Sequence, residues 1–462
     1  MKLIKLILLL FVCCFSFSQT KEYEKGKIID SILVKKTIDE SFVLYLPTSF
    51  NKDINAAIIF VFDPSGNGKR GVEVFQKAAE KFNYLLVCSN NSRNGPYQRN
   101  IDITNRLFSH VFSEFNIDSK QIYTAGFSGG SRLACTVAVL TGAIQGVIGC
   151  GASFAFDVDK KPAFNSKFSY VGLVGDEDMN YQEMFHAREW LNKVSVDNEL
   201  FTYEDGHKWP PEIQINRALS WLELQAYKRK LRPINKERLT SMYLQDYEFA
   251  SSIENDDSPL SAVYEYERLD RNYKSYFDMD SISAKNFKLK SSNSFQTEFQ
   301  IRSQIEAKEY RISESFLDRF RKESTLGRSD DNYTWWKNEL KDLNNEIKND
   351  SNYFTVKMVK RLRYRLFAVA IESSNVYSDN NDLERALYCN KLLVILNKEQ
   401  PYLYFRLAQN HAKLNAYRQT LTNLEKAIEL GFKNIDAITN EKEFEKFKTK
   451  KKFHAFLESL NN

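Results

Sequence analysis

The chain has 462 residues, too many for one ordinary core, so two domains are expected. Apolar residues make up 43% and charged residues 27%, a globular balance that excludes a disordered or membrane-embedded chain. The 60 acidic residues nearly offset the 65 basic ones, and the resulting net charge of +5 leaves no nucleic-acid footprint.

The first 18 residues read as a secretory signal. Met1-Lys2-Leu3-Ile4-Lys5 is a short basic region, and Leu6 to Phe17 is almost all apolar. Ser16, Ser18 and Gln19 bring small and polar residues before a charged stretch, with cleavage expected near Ser18. The apolar run is shorter than the roughly 20 residues of a spanning helix, and no other long run follows. An exported protein, periplasmic or secreted and without a stable membrane span, is therefore expected. Cys13 and Cys14 raise the question of a lipid anchor, but Val12 stands where a small residue belongs, which argues against one. Cys88, Cys135, Cys150 and Cys389 form no Cys-x-x-Cys pair; buried free thiols are expected, with a single disulfide as the alternative.

Residues 19–228 alternate between strand and helix patterns. Strands are predicted at 42–46, 57–62, 84–88, 121–125, 147–150, 170–174 and 200–203. Those at 57–62 and 84–88 are continuous apolar runs, as parallel strands covered on both faces require. Helices are predicted after the Asp63–Gly68 loop as far as Phe82, over 101–115, from the glycine turn at 126–130 to Gly142, over 181–194 and over 211–228. This alternation implies α/β architecture, a mostly parallel sheet with helices on both faces. After Arg232 the strand signal stops, and residues 229–462 read as an all-helical, repeat-like domain. Within it, residues 401–434 look like a helix pair with Leu407, Ala408, His411, Leu424 and Ala427 at tetratricopeptide packing offsets. Tyr377 and Ala386 suggest a weaker preceding copy, so that tetratricopeptide-like character spans about 367–434. About three repeats are needed for a self-sufficient stack.

The chemistry concentrates at three strand ends. Gly126-Phe127-Ser128-Gly129-Gly130 follows a buried strand and opens a helix, the context that makes a Gly-x-Ser-x-Gly string a nucleophile turn in an α/β hydrolase. The flanking glycines let neighbouring backbone approach, and the helix N-terminus offers free N–H groups to developing negative charge. A serine hydroxyl needs a base. Of five histidines only His207 follows a strand at the correct end, in Gly206-His207-Lys208-Trp209-Pro210. The carboxylate should come from Gly175-Asp176-Glu177-Asp178, where three acids compete. Two backbone donors are expected to hold the oxyanion, the N–H of Gly129 and one from the loop after the third strand. There Pro64 has no N–H, which leaves Ser65.

These segments resemble the secreted polyhydroxybutyrate-depolymerase and feruloyl-esterase-like branch of the α/β hydrolases, over roughly residues 30–225. Gly-His-x-Trp-Pro is the most specific string. The resemblance implies hydrolysis of a carboxylic ester through an acyl-enzyme, without metal or cofactor, and it picks Asp178 over Asp176 because the acid lies three residues after the turn glycine. The chain departs from the pattern at Asp63-Pro64, where many hydrolases have His-Gly. The short stretch 154–167 leaves no room for a large lid there. The site is therefore expected to be open, to an ester that includes polymer-linked acyl groups, with Trp209 as a lining residue. Two other readings compete: a catalytically silent hydrolase-fold binding protein whose helical tail recruits a protein partner, and an exported peptidase.

Overall fold

The computed structural model describes residues 23–155, 157–164, 166–255 and 258–460; the expected signal segment, with Cys13 and Cys14, lies outside them. An eight-stranded sheet forms first. Its strands are β1 (Ile28–Leu33), β2 (Ser41–Tyr45), β3 (Ala56–Phe62), β4 (Tyr84–Ser89), β5 (Ile117–Phe127), β6 (Gly146–Cys150), β7 (Ser169–Gly175) and β8 (Asn198–Tyr203). They lie side by side in the order β1-β2-β4-β3-β5-β6-β7-β8. The β1–β2 and β2–β4 pairs are antiparallel and all the others parallel. The architecture is α/β, a mostly parallel sheet covered by helices, with a large all-helical region after it.

Two-residue periodicity explains the continuous apolar strands. Ile58, Phe60, Phe62, Leu85 and Val87 face one core, shared with Leu107, Leu133 and Met184. Ile59, Val61, Leu86 and Cys88 face the other, shared with Val72, Phe75, Ile215 and Leu219. The covering helices are α1 (Gly68–Phe82), α2 (Tyr97–Glu114), α3 (Gly129–Thr141), α4 (Tyr181–Lys193) and α5 (Glu212–Lys228). Helix α2 starts four residues before its predicted start, directly after Pro96. Cys88, Cys135, Cys150 and Cys389 are buried free thiols.

The helical region follows as α6 (Lys236–Asn255), α7 (Pro259–Tyr273), α8 (Asp280–Lys290), α9 (Asn293–Leu326), α10 (Thr334–Asn349), α11 (Tyr353–Asp379), α12 (Leu383–Leu396), α13 (Pro401–Lys413), α14 (Tyr417–Glu429), α15 (Ile435–Thr439) and α16 (Lys451–Ser459). Helices α13 and α14 pack as a pair, as do α11 and α12. One core gathers around the fully buried Trp336, with Phe316, Phe320, Leu362 and Leu392. No helix among the described residues is long and apolar enough to cross a membrane.

The two halves are joined by apolar and ionic contacts. Leu224 of α5 shares a core with Leu239, Met242 and Tyr266 of α6 and α7. Glu199 on β8 is only 2% exposed and faces Arg268 and Arg271 of α7, at 3.3 and 2.8 Å. Burial by itself would raise the Glu199 carboxyl, but the two guanidiniums outweigh it and hold the group below the usual carboxylate range. Arg268 also donates to the Leu200 carbonyl at 3.0 Å and lies over the Phe201 ring.

Candidate active site

Ser128 sits between the end of β5 and the start of α3, with φ 52° and ψ −121°. A non-glycine residue at positive φ is strained by on the order of 1–3 kcal/mol and persists only where its surroundings enforce it. Here they do. The Ser128 N–H donates to the Cys150 carbonyl at 2.8 Å. A Cβ on Gly126 would fall 2.3 Å from the Gly130 carbonyl oxygen, and one on Gly130 would fall 2.0 Å from that of Phe62. Only glycines let the turn pack so tightly against β3.

Three distant segments meet at this turn. Ser128 Oγ lies 2.9 Å from His207 Nε2. His207 Nδ1 lies 2.9 and 2.8 Å from the two carboxylate oxygens of Asp178. Asp178 is fully buried and the His207 side chain is 10% exposed. An ionised carboxylate can only accept, so the Nδ1 proton faces Asp178 and the Nε2 lone pair faces the serine hydroxyl. The backbone prepares this geometry. Asp178 is seated by a bond from its N–H to the Gly175 carbonyl, at 3.1 Å, and its Oδ1 accepts from the Asn180 N–H at 2.8 Å. The Phe127 ring packs against the imidazole with centroids 4.6 Å apart.

Of the two competing aspartates, Asp178 reaches His207. Asp176 instead meets Tyr353 and Lys357 of α11. Burial pushes the Asp176 carboxyl up, and the Tyr353 hydroxyl and Lys357 only partly offset this. Glu177 would also be raised by its burial, but hydrogen bonds from Lys357 and Lys360 bring it below its usual range.

Gly129 is the first residue of α3, where backbone N–H groups have no intrahelical acceptor. The structure does not free the other expected donor. The Ser65 N–H is spent on Asp63 Oδ1 at 2.8 Å, and the Ser65 hydroxyl donates to the same oxygen at 2.5 Å. Asp63 folds back because the Pro64 turn leaves its carboxylate as the local acceptor for Ser65 and Asn67. Trp209 is also placed differently from its expected lining role. It is buried, packs tilted with its ring 5.3 Å from that of Phe127, and donates its Nε1–H to Asp63 Oδ2 at 3.2 Å. Trp209 thus ties the histidine loop to the loop after β3 and does not face substrate space.

Three positions that shape this geometry escape a reading of the sequence alone. Gly151, at φ +64°, clears the space beside Asp178 and His207: a Cβ there would lie 2.8 Å from Phe127 and 3.2 Å from Asp178 Oδ2. The Gly149-Cys150-Gly151 run at the end of β6 was its only signal. Asn180 donates from Nδ2 to the Gly151 carbonyl at 2.7 Å and so links that bend to the acid loop. Asn94 stands against Gly129, so close that a Cβ on that glycine would meet its Oδ1 at 1.8 Å.

The serine opens on a cavity of ≈ 1990 Å³. Asn94, Tyr97 and Arg132 line it from the sheet half, and Tyr310, Tyr353 and Arg365 from α9 and α11. The Tyr364 ring on α11 is 6.3 Å from the His207 ring. Among the described residues of 154–167 there is only a short 3₁₀ turn, at Val158–Lys160, and no large lid. The expected openness is nevertheless limited, because the helical region supplies the far wall. That volume exceeds the roughly 300–1,000 Å³ of a small-molecule site.

The chain matches no protein-family model and no curated protein. It is similar to several solved structures. The fluorophosphonate-binding serine hydrolase F of Staphylococcus aureus is 14% identical, with a TM-score of 0.38, over 43% of this chain and 99% of that one. The feruloyl esterase module from Clostridium thermocellum is 15% identical, with a TM-score of 0.33, over 40% of this chain and 82% of that one. An esterase from Pyrobaculum calidifontis is 10% identical, with a TM-score of 0.37, over 44% of this chain and 86% of that one.

Proposed function

We propose that this protein is an exported serine hydrolase that cleaves a carboxylic ester through an acyl-enzyme. One observation carries the reading: Ser128 Oγ is 2.9 Å from His207 Nε2, while the far side of that imidazole, at Nδ1, lies 2.8 Å from the buried Asp178 carboxylate. Ser128 Oγ attacks the carbonyl carbon as Nε2 takes its proton. The proton then passes to the ester oxygen as the C–O bond breaks and the alcohol leaves. Water repeats the sequence on the acyl-serine and returns Ser128. Asp178 holds the tautomer and stabilises the imidazolium without taking the proton. The Gly129 N–H faces the oxyanion. The Ser65 N–H, bonded to Asp63 Oδ1, is not available as the second donor. The volume of the cavity onto which Ser128 opens leaves room for a bulky or polymer-linked ester. The order of basic, apolar and small polar residues over the first 18 positions supports export.

The test is hydrolysis of p-nitrophenyl acetate and butyrate by the wild type and by Ser128→Ala. A loss of about 10³-fold or more in the variant is expected. Equal rates would refute the enzyme and favour a binding protein. Cleavage of peptide anilides with no cleavage of longer-chain esters would favour a peptidase.

A further inference from the structure

The loop that carries Asp178 is held from two sides. From the sheet, the Tyr203 carbonyl accepts the Asp176 N–H at 2.8 Å, and the Asp205 carbonyl accepts the Glu177 N–H at 3.0 Å. From the helical region, α11 presents a row of side chains one turn apart. Tyr353 donates to Asp176 Oδ2. Lys357 Nζ lies 3.1 Å from Asp176 Oδ1 and 2.8 Å from Glu177 Oε1, and Lys360 Nζ lies 2.8 Å from the same Glu177 oxygen. Arg361 Nη1 donates to the Asp176 main-chain carbonyl at 2.6 Å.

Arg361 is itself anchored. Its Nε and Nη2 bond the two oxygens of Glu309 on α9 at 2.8 and 2.5 Å, and both side chains are at most 7% exposed. A bidentate pair fixes the plane of the guanidinium and therefore the direction of its remaining donor. Buried pairs of this kind add little net stability compared with apolar packing, so stability alone is a poor reason for its presence. Orientation is the better one. The donor is aimed at a peptide two residues before the carboxylate that holds His207.

We propose that Arg361, seated by Glu309, is a positioning residue for Ser128, His207 and Asp178, and that the helical region is thereby a working part of the active site. The proposal rests on the hydrolase reading above. Its mechanism is mechanical. Asp178 meets Nδ1 only while the 175–178 turn keeps its shape, and the Arg361 bond fixes the 176–177 peptide within that turn. A displacement of about 1 Å at a reacting group can cost about 10²-fold in rate.

The experiment compares Arg361→Gln, Arg361→Lys and a control, Arg271→Gln, which breaks an interdomain pair away from the loop. Ester turnover is resolved into kcat and KM. The low-field imidazole N–H proton resonance of His207, assigned by its disappearance in His207→Gln, is followed by NMR. For Arg361→Gln, kcat should fall about 10- to 100-fold with KM little changed. The His207 resonance should move upfield or broaden as its carboxylate partner wanders. Arg361→Lys should recover part of both, and the control should change neither. Folded Arg361→Gln with wild-type kcat and an unmoved resonance would overturn the proposal, whatever its stability. Should that variant not fold, Glu309→Gln removes the anchor while keeping Arg361, and the same resonance decides. If wild type and Ser128→Ala prove equally inactive on esters, the hydrolase reading fails, whereas the resonance still reports whether α11 holds the loop.

Discussion

Replacing Asp178 by asparagine keeps the shape of the site and should nearly abolish turnover. In the wild type, Asp178 Oδ1 accepts the Asn180 N–H at 2.8 Å, and both carboxylate oxygens face His207 Nδ1. An asparagine satisfies the Asn180 donor only by putting its carbonyl oxygen on that side. Its NH₂ group then takes the nearer position, 2.8 Å from Nδ1, and competes with that oxygen, favouring Nδ1 as an acceptor. The imidazole proton is driven to Nε2, where it points at Ser128 Oγ and cannot remove the hydroxyl proton. Loss of the correct tautomer in such triads lowers kcat by about 10⁴-fold, or roughly 5 kcal/mol of barrier at 1.36 kcal/mol per tenfold. The assay is p-nitrophenyl acetate hydrolysis together with the rate of Ser128 labelling by a fluorophosphonate, beside Asp176→Asn. A kcat for Asp178→Asn within tenfold of wild type, or a larger loss in Asp176→Asn, would refute the assignment of the acid and the tautomer argument with it.

Two stability predictions test the packing. Arg268→Leu removes one cation from the buried Glu199 and leaves the Leu200 carbonyl without that donor, so urea unfolding at pH 7 should show a loss of about 3–5 kcal/mol. Because Glu199 is held below its usual range in the folded protein, its contribution is full above the unfolded carboxylate value and is lost as pH falls through the folded one. The deficit of the variant should therefore shrink below about pH 4; a deficit that stays constant would show that charge is not its cause. Gly130→Ala should destabilise by about 1–3 kcal/mol, because its Cβ would meet the Phe62 carbonyl in the rigid sheet at 2.0 Å. Gly129→Ala meets only the exposed Asn94 side chain, which can swing away. Equal urea midpoints for the two variants would contradict this distinction.

Much of the sheet was legible because parallel strands covered on both faces have no polar face to blur the pattern. β1, with Asp30 and Ser31 in its middle, lies at an edge, carries an irregular register and gives no such run. The first turn of α2 is Tyr-Gln-Arg-Asn, which has no apolar stripe, and so its start is placed late. At the site, strand-end residues could be read because topology dictates what meets there. Ser65 could not, since its availability depends on whether Asp63 turns back on its own loop, a local competition that composition does not resolve. The row on α11 was hidden more deeply. Lys357, Lys360 and Arg361 look like an ordinary solvated face, and their partners lie about 180 positions earlier in the chain. Charge on a helix says whether it can be wet, not whether it is.

The outermost position of β8 has a consequence for the protein outside catalysis. Its carbonyls at Asn198, Leu200 and Thr202 point away from β7, since those at Asp197 and Tyr203 accept from the β7 side. A bare row of this kind is a template on which another chain can add a strand. Arg268 occupies the Leu200 carbonyl, and α7 supplies the cations that make Glu199 tolerable beside it. A hydrolase half cut free at residue 228 would thus present an unguarded strand beside a carboxylate stripped of both its cations. Self-association, ahead of any loss of chemistry, would be its first failure.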